Sequence, residues 1–338
     1  MMAIQNPNIA VIGATGAVGK VFLDLVEERN FPFNSIRLCA SERSEGKQIT
    51  LKGKPITVEL VTEKLLSEVD MVFVSASTQV SKEICPKAAS MGCIVIDDSS
   101  AFRLEPSVPL VVPEVNKIDL KNHEGIIAIP NCSTTPLVMV LNALRTIAPI
   151  SRVTVDTYQS VSGTGTAAVT ELKEQTANIV NNKSPEVSVY PHQIGFNLLP
   201  HIEDFLSNGY TKEEMKMSNE TRKILHDDEI NISATCVRVP VFTSHSESAH
   251  IEFDGPIDIA AARNMLEAAE GIKVLDEPGK NLYPMPLVST GQDEVFVGRL
   301  RKDISKQNSI ALWMVSDNLR KGAALNAIQI AEELINMD

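Results

Sequence analysis

Residues 9–19 read Ile-Ala-Val-Ile-Gly-Ala-Thr-Gly-Ala-Val-Gly, an apolar run that enters a Gly-x-x-Gly-x-x-Gly turn. A buried strand followed by such a turn and a helix is suited to binding a pyrophosphate. The glycines let the backbone approach the phosphates, and the helix N-terminus supplies unpaired N–H donors. The spacing differs from the commoner Gly-x-Gly-x-x-Gly. The stretch predicts a dinucleotide site that includes Gly13, Thr15, Gly16, Ala17, Val18 and Gly19.

The residues after the second predicted strand, Ile36–Ala40, indicate which dinucleotide is bound. They are Ser41, Glu42, Arg43 and Ser44. The guanidinium of Arg43 can pair with a ribose 2′-phosphate, and the two serines can donate hydrogen bonds to it, which favours NADP. NAD stays open, because a carboxylate such as Glu42 can hold a ribose 2′-hydroxyl.

Short β-rich runs alternate with helical stretches in the first half of the chain, as in a parallel sheet covered by helices. The predicted strands are Ile9–Gly13, Ile36–Ala40, Met71–Ser75, Ile94–Asp97 and Ile126–Ile129, and the predicted helices are Val18–Arg29 and Ser81–Met91. A helix predicted at Ala323–Met337 is expected to pack back on the same domain. We expect a doubly wound, Rossmann-like α/β domain formed by residues 1–130 and 317–338.

From Arg152 onward, longer alternating runs predict a mainly antiparallel sheet with one buried face. The runs are 152–161, 233–242, 249–254 and 294–301, and helices are predicted at 166–180, 213–225 and 258–269. Residues 181–206, which contain three prolines, predict a long irregular connection. Since 338 residues exceed the usual size of one core, we expect a second, α+β domain at residues 131–316.

Charge and cysteine usage restrict the classes of function. The net charge is −12, and the five cysteines include no Cys-x-x-Cys pair. A negative chain without a Lys/Arg cluster argues against a nucleic-acid partner, and the scattered cysteines suggest neither disulfides nor a metal site. No apolar run is long enough to span a bilayer and no targeting segment is recognised, so we expect a cytoplasmic protein without a membrane partner.

Cys132 has a setting that the other cysteines lack. It lies in Pro-Asn-Cys-Ser-Thr-Thr-Pro at residues 130–136, between a buried-strand pattern and a helix predicted at Leu137–Ala148. The dipole and unpaired N–H groups of a first helical turn favour a thiolate and can stabilise an oxyanion. Cys132 is therefore the predicted nucleophile. The remaining four are expected to be small buried apolar side chains: Cys39, Cys85, Cys93 and Cys236.

A thiol nucleophile usually works with a base, and His245 is the strongest candidate. An alternating run at 233–242 is followed by Thr243-Ser244-His245-Ser246, which predicts a polar turn that presents His245 to a cleft. The other five histidines lack such a setting and are expected at the surface or in local hydrogen bonds. Of these, His192 lies in a loop bounded by prolines.

Three motifs together carry a family resemblance: GATGAVG at 13–19, PNCSTTP at 130–136 and RVPVFTSHS at 238–246. With them the chain resembles the aspartate-semialdehyde dehydrogenases over essentially its full length. The resemblance implies a Rossmann-like NADP domain and a glyceraldehyde-phosphate-dehydrogenase-like catalytic and dimerisation domain. It also implies reduction of L-aspartyl 4-phosphate to L-aspartate 4-semialdehyde, reversibly and through a cysteine thioester. That reaction serves biosynthesis of lysine and diaminopimelate, methionine, threonine and isoleucine.

The resemblance also implies roles for individual residues. Cys132 forms the thioester, Asn131 helps to position the reacting carbonyl, Gln159 orients the intermediate, and His245 serves as acid/base. The implied substrate-binding residues are Arg238 for the carboxylate, Glu220 for the ammonium group, and Lys223 with Arg103 for the phosphate. Further implied cofactor contacts are Ser77, Thr78, Ser162, Gly163 and Asn318. The implied assembly is a homodimer or a dimer of dimers.

Two other functions remain open at this point. Another acyl-phosphate reductase, such as an N-acetyl-gamma-glutamyl-phosphate reductase, shares the glycine-rich start but presents its cysteine in a different local sequence. A catalytically silent NADP-binding regulator would keep the fold. The presence of Cys132, Gln159 and His245 argues against a regulator, since dinucleotide binding alone needs none of them.

Overall fold

The computed structural model describes residues 5–337, and their contacts group into two compact units. The first unit comprises the chain up to Pro130 together with the chain from Ala323 onward, and the second comprises Asn131–Gly322. Residues 1–4 and 338, at the outer ends of the predicted first domain, lie outside the described residues.

The last boundary between the units lies six residues beyond the predicted position at 317. Hydrogen bonds explain the difference. The Oδ2 atom of Asp317 accepts from the Gly291 amide at 2.8 Å, and Oδ1 of Asn318 accepts from the Ser244 amide at 2.9 Å. Both partners belong to the second unit, so the turn at 317–322 groups with it.

The first unit contains a mostly parallel sheet in the order β3-β4-β2-β1-β5-β6-β7. Only the β3–β4 pair of this sheet is antiparallel. The strands are β1 (Asn8–Ile12), β2 (Ser35–Cys39), β3 (Gln48–Leu51), β4 (Lys54–Glu59), β5 (Met71–Val74), β6 (Ile94–Asp97) and β7 (Ile126–Ala128). The helices are α1 (Ala17–Glu28), α2 (Glu63–Leu66), α3 (Thr78–Ser90), α4 (Pro113–Asn116) and α10 (Leu325–Asn336).

Both faces of this sheet are buried, which explains the continuous apolar run of β1. Ile9 and Val11 belong to the core cluster that includes residues of α1 and α10. Ala10 and Ile12 point the other way and belong to the cluster that includes residues of α3. The doubly wound expectation is confirmed, and so is the packing of the C-terminal helix on this unit.

The hairpin β3–β4 was not predicted. Its residues are mostly exposed or half-buried, so the alternation of apolar side chains is weak. Lys52 and Gly53 connect the strands with φ of 47° and 72°. Positive φ at both central positions gives the twist that a two-residue hairpin needs.

The second unit contains a mainly antiparallel sheet in the order β11-β12-β13-β10-β8-β9. The pairs β8–β9 and β11–β12 are parallel. The strands are β8 (Ile150–Gln159), β9 (Asn231–Arg238), β10 (His245–Phe253), β11 (Ile272–Val274), β12 (Val295–Lys302) and β13 (Ser309–Ser316). The helices are α5 (Thr134–Leu144), α6 (Thr166–Val180), α7 (Lys212–Leu225), α8 (Ile259–Ala268) and α9 (Pro286–Ser289).

The chain bends at Phe242 and Thr243, but the predicted polar turn does not include His245, because this residue begins β10. The strand was predicted to begin only at Ala249, since Ser246, Glu247 and Ser248 are polar. In the fold these residues pair with both β8 and β13, and His245 is only 1% exposed. The backbone hydrogen bonds to two neighbouring strands stabilise this part of β10 as a strand, although its side chains are polar.

The segment between α6 and α7 contains no helix or strand, as predicted. The helix that follows begins with a capping box: the Thr211 hydroxyl accepts from the Glu214 amide, and the Glu214 carboxylate accepts from the Thr211 amide. This box satisfies two N–H groups at the start of α7. Within residues 5–337, no helix is both long enough and apolar enough to cross a membrane.

Candidate active site

Two positions in the glycine turn of the first unit can accept only glycine. Gly13 has φ of 90°, and a Cβ placed there would lie 2.0 Å from the carbonyl oxygen of Ser75. A Cβ on Gly19 would lie 2.2 Å from the carbonyl oxygen of Gly13. Helix α1 follows Gly16 without a side-chain cap, so its first N–H groups remain available for an anion. The turn therefore fits a dinucleotide pyrophosphate.

The predicted 2′-phosphate residues lie in and beside a single 3₁₀ turn, Glu42–Ser44. Arg43 is exposed, whereas Ser44 is buried and its Oγ accepts from Thr15 at 3.4 Å and from Lys47 at 3.3 Å. The turn thus brings Thr15 of the glycine motif to Ser44. Lys47 is a second cation here that the sequence did not single out.

Ser77, Thr78 and Arg103 lie near the carboxyl ends of strands in the first unit. The Ser77 hydroxyl caps α3 by accepting from the Val80 amide, and the Thr78 hydroxyl lies 3.1 Å from that of Ser100. Arg103 is 7% exposed and donates through Nη2 to the Asp98 carbonyl at 2.8 Å. The remaining predicted substrate and catalytic residues belong to the second unit.

Cys132 lies immediately before the N-terminus of α5. Ser133 occupies the N-cap position, and its amide donates to the Asn131 side-chain oxygen at 2.9 Å. The cysteine is half-buried. Gly322 packs against it so closely that a Cβ there would lie 2.9 Å from the Cys132 Cβ. Sequence and fold together thus put a thiol beside a first helical turn, where thiolates are favoured.

The four other thiols are buried and unsuited to reaction. Burial raises the pKa of Cys39 to about 12, and it also raises the pKa of Cys85, Cys93 and Cys236. A high pKa leaves almost no thiolate at neutral pH. Their predicted role as small apolar side chains is confirmed.

A buried carboxylate, Glu213, holds two of the predicted catalytic residues. Its Oε1 accepts from Asn131 Nδ2 at 2.9 Å and from Gln159 Nε2 at 3.1 Å, and its Oε2 accepts from Lys216 Nζ at 3.1 Å. Burial alone would raise the pKa of Glu213, but Lys216 and the two amide donors lower it to about 2. The sequence did not single out Glu213. A glutamate in a polar helical run gives no sign of burial.

Glu220 and Lys223 both lie on α7, as expected. Glu220 is 1% exposed, and its Oε2 accepts from the Asn131 amide at 2.7 Å. Lys223 is half-buried. Glu220 is therefore buried and supports the turn that carries Cys132.

The imidazole ring of His245 contacts the loop that follows β8. Its Nδ1 lies 3.0 Å from the Ser160 amide and 3.1 Å from the Ser160 hydroxyl. Burial is the main cause that lowers the pKa of His245 to about 3, and the positive charge of Arg238 lowers it further. Glu213 and a hydrogen bond with the Ser244 backbone raise this pKa, but by less. The ring is therefore neutral at neutral pH.

Arg238 lies beside the same loop. It is 5% exposed and donates through Nη1 to the Ser160 carbonyl at 2.6 Å. A Cβ on Gly163 would lie 3.2 Å from this Nη1 and 3.2 Å from His245 Nε2. The Tyr190 ring centre is 6.0 Å from the guanidinium carbon. Gly163 thus separates two predicted site residues that a larger side chain would displace.

The side chain of Asn318 accepts hydrogen bonds from three polar groups around this loop. Its Oδ1 accepts from the hydroxyls of Ser160 and Ser162 at 3.2 and 3.1 Å and from the Ser244 amide at 2.9 Å. Ser244 has φ of 73°, an unfavourable conformation for a residue with a Cβ. Asn318 therefore stabilises the bend that leads into His245.

Glu247 is a buried acid on the same strand as His245. Neither carboxylate oxygen has a hydrogen-bond partner among residues 5–337. Burial raises the pKa of Glu247 well above its usual range, which favours the neutral form.

Comparison with known proteins agrees with this architecture. The model of the semialdehyde dehydrogenase NAD binding domain matches residues 8–123, and that of the semialdehyde dehydrogenase dimerisation domain matches residues 141–321. The aspartate-semialdehyde dehydrogenase of Aquifex aeolicus is 52% identical, with 97% of each chain covered.

Two solved structures show the same fold. A crystal structure of aspartate semialdehyde dehydrogenase II complexed with ASA, from Vibrio cholerae, is 45% identical with a TM-score of 0.95 and covers 98% of this chain and 99% of that chain. Aspartate semialdehyde dehydrogenase with NADP, from Candida albicans, is 28% identical with a TM-score of 0.76 and the same coverage. Because the identity extends along nearly the whole chain and both family models match in order, the chain belongs to the aspartate-semialdehyde dehydrogenases.

Proposed function

We propose that the chain catalyses the NADP-dependent interconversion of L-aspartyl 4-phosphate and L-aspartate 4-semialdehyde. The arrangement of Cys132 carries this proposal: a half-buried thiol stands at the N-terminus of α5, while every other thiol is buried with a raised pKa. The relative from Vibrio cholerae, described in complex with ASA, supports the choice of substrate.

Cys132 is the nucleophile in this proposal. Its sulfur attacks the substrate carbonyl, and N–H groups at the start of α5 stabilise the charge that develops on the oxygen. Asn131 holds the turn in place, because its side chain bridges Glu213 and the Ser133 amide. Gln159, tied to the same carboxylate, orients the intermediate.

The substrate's charged groups are assigned to buried or half-buried side chains. Arg238 binds the α-carboxylate through its planar guanidinium, and Glu220 binds the ammonium group. Lys223 and Arg103 bind the phosphate. A protein with a net charge of −12 needs such a local group of cations to attract an anionic substrate.

The cofactor is NADP in this proposal. The glycine turn binds the pyrophosphate, Arg43 with Ser41 and Ser44 binds the 2′-phosphate, and Ser77 and Thr78 complete the site. The nicotinamide, when bound, accepts or supplies the hydride. The nicotinamide ring is contacted by Ser162, Gly163 and Asn318 in this proposal. The relative from Candida albicans, described with NADP, supports this choice.

The proposed assembly is a homodimer, which can pair further into a dimer of dimers. The matched dimerisation model covers residues 141–321, within the second unit. Large apolar side chains are exposed along the connection between α6 and α7, and a second copy would cover them. They are Val187, Val189, Phe196, Leu198, Phe205, Leu206 and Tyr210.

A turnover assay tests the reaction. Purified protein should reduce NADP⁺ when given aspartate 4-semialdehyde and phosphate together, and the rate should depend on both. N-acetyl-glutamate 5-semialdehyde is the matched control, since it reacts by the same chemistry in the related reductases. A higher kcat/KM with that control substrate would contradict the proposal.

Replacing Arg43 by alanine is expected to weaken NADP binding by about tenfold or more, because a charged hydrogen bond to the 2′-phosphate is worth roughly 1.5–3 kcal/mol. NAD binding should change little, since NAD lacks that phosphate. Dissociation constants from cofactor titrations decide the matter, with Lys47→Ala compared in parallel. Equal losses for the two cofactors would favour the alternative in which Glu42 holds a ribose hydroxyl.

A further inference from the structure

Two buried polar side chains of α6 bind part of the irregular segment that follows this helix. Glu171 and Gln175 lie one helical turn apart and are 5% and 1% exposed. Gln175 Nε2 donates to Glu171 Oε1 at 2.9 Å, so the two side chains form a linked pair. Polar groups buried to this extent are stable only when hydrogen bonds replace those that water would make.

Glu171 supplies acceptors for the first half of the segment at residues 186–195, called the 186–195 loop below. Its Oε2 accepts from the Ser188 hydroxyl at 2.9 Å, from the Ser188 amide at 3.3 Å and from the Val189 amide. One carboxylate oxygen thus fixes two successive residues of the loop.

Gln175 holds both ends of the same loop. Its Nε2 donates to the Glu186 carbonyl at 2.7 Å, and its Oε1 accepts from the amides of Ile194 and Gly195 at 2.9 and 2.8 Å. A Cβ on Gly195 would lie 3.0 Å from the Gln175 Cβ, so the backbone approaches the helix closely there. The loop is therefore fixed to α6 at its start, in its middle and at its end.

Tyr190 is the next residue after the two that Glu171 binds. Its hydroxyl donates to Thr164 Oγ1 at 2.9 Å. Its ring packs against a small apolar cluster that includes Val161, from the loop after β8, and Leu172 of α6. Burial raises the pKa of Tyr190, so the hydroxyl keeps its proton at neutral pH. The ring is thus held from three sides.

The guanidinium of Arg238 lies over this ring, with its carbon 6.0 Å from the ring centre. That distance is at the limit of a cation–π contact. Arg238 Nη1 donates to the Ser160 carbonyl at 2.6 Å, and Nε is buried without a partner among residues 5–337. A hydrogen bond at one nitrogen does not fix the plane of a guanidinium, whereas an aromatic ring packed over it does.

We propose that Tyr190 is a positioning residue, held by Glu171 and Gln175, that fixes the plane of the Arg238 guanidinium for the substrate carboxylate. The inference rests on the proposed function, in which Arg238 binds that carboxylate. A carboxylate bound by two parallel N–H groups needs the guanidinium in one orientation. All of these residues belong to the second unit.

Variants of Tyr190 separate its ring from its hydroxyl and its bulk. Tyr190→Leu keeps apolar packing but lacks a π face, and it should raise the KM for aspartate 4-semialdehyde about tenfold, as expected for loss of a desolvated cation–π contact. Tyr190→Phe keeps the ring and should stay within about threefold of the parent, since it loses one neutral hydrogen bond.

The KM for phosphate distinguishes positioning from general distortion. It should be unchanged in both variants, because phosphate is assigned to Arg103 and Lys223. An unchanged semialdehyde KM in Tyr190→Leu would overturn the proposal. Equal increases in the two KM values would overturn it as well, since they would show that the whole site is disturbed.

Hydrogen exchange, followed by mass spectrometry, tests the role of α6 without turnover. In Glu171→Ala the amides of the 186–195 loop should exchange at least about tenfold faster, because they lose their acceptor, and the semialdehyde KM should rise as in Tyr190→Leu. Glu174→Ala is the matched control: it removes an exposed glutamate from the same helix and should alter neither. Unchanged exchange in Glu171→Ala would overturn the role of Glu171.

A milder variant covers the case in which Glu171→Ala does not fold. Glu171→Gln replaces one of the two oxygens by an NH₂ group, so either the loop amides or Gln175 loses an acceptor. Exchange in the loop should again be faster than in the parent, and an unchanged rate would again overturn the role of Glu171.

Failure of this inference is distinguishable from failure of the proposed function. If the parent enzyme does not turn over aspartate 4-semialdehyde, the function falls and the role of Tyr190 falls with it, although hydrogen exchange still reports how the loop is held. If the parent turns over the semialdehyde and Tyr190→Leu has the same KM, the function stands and this inference is wrong.

Discussion

Replacing Cys132 by alanine is expected to lower turnover by at least about a thousandfold, because covalent catalysis has no substitute nucleophile in the site. The four other thiols cannot take over, since burial raises the pKa of each. NADP affinity should be nearly unchanged. The glycine turn belongs to the first unit, and Cys132 belongs to the second.

The measurement combines steady-state kinetics with a cofactor titration. Cys85→Ala is the matched control, because it also removes a thiol but from a core, and its turnover should stay within a few-fold of the parent's. Turnover of Cys132→Ala within tenfold of the parent would rule out the nucleophile assignment. A rate loss accompanied by loss of NADP binding would point to misfolding and would call for the Cys132→Ser variant.

Glu213→Ala is expected to lower the free energy of unfolding by about 3–5 kcal/mol, as when one partner of a buried ion pair is removed. The change leaves Asn131 Nδ2 and Gln159 Nε2 without the acceptor they share. It also takes the carboxylate away from Lys216, whose side chain is only 16% exposed. Activity should fall as well, since Asn131 precedes the proposed nucleophile and shares this carboxylate with Gln159.

The stability that Glu213 contributes is expected to depend on pH. The pKa of Glu213 in the folded chain is about 2, below the ordinary 4.5, so its contribution to stability is complete above pH 4.5 and is lost as the pH falls to about 2. The alanine variant lacks this contribution at every pH. The difference in stability between parent and variant should therefore shrink between pH 4.5 and pH 2.

Urea denaturation at several pH values measures that difference. Glu203→Ala is the matched control, because Glu203 pairs with the same Lys216 at 2.5 Å but its side chain is 40% exposed. An exposed pair contributes at most about 1 kcal/mol. If Glu203→Ala and Glu213→Ala lose equal amounts of unfolding free energy, the burial of Glu213 adds nothing to stability.

The first unit was largely predictable because its signals are local. The run Ile9–Ile12 is apolar throughout, as expected for a strand buried on both faces, and glycines at the next positions satisfy an evident backbone requirement. The hairpin Gln48–Glu59 was missed for the opposite reason. It lies at the sheet edge, where most side chains are exposed and the alternation of apolar and polar residues is weak.

The second unit was harder to predict because burial there does not follow polarity. Ser246 and Glu247 are polar and fully inside, so the start of β10 resembled a turn. The same effect concealed Glu213, whose burial depends on two amides and a lysine distant in sequence or on the next helical turn. The contact between Ser160 and His245 had no signal in the sequence, since Ser160 makes it through its backbone amide.

The return of α10 to the first unit has a consequence for synthesis of the protein. The core beside α1 includes Ala324, Leu325 and Ile328, which the ribosome adds only after the whole of the second unit. The second unit, Asn131–Gly322, is continuous in sequence and is complete before them. While the second unit is being synthesised, the amino-terminal part of the first unit therefore lacks α10, and part of one apolar sheet face stays uncovered. Apolar surface that is exposed in this way makes a nascent chain dependent on chaperones.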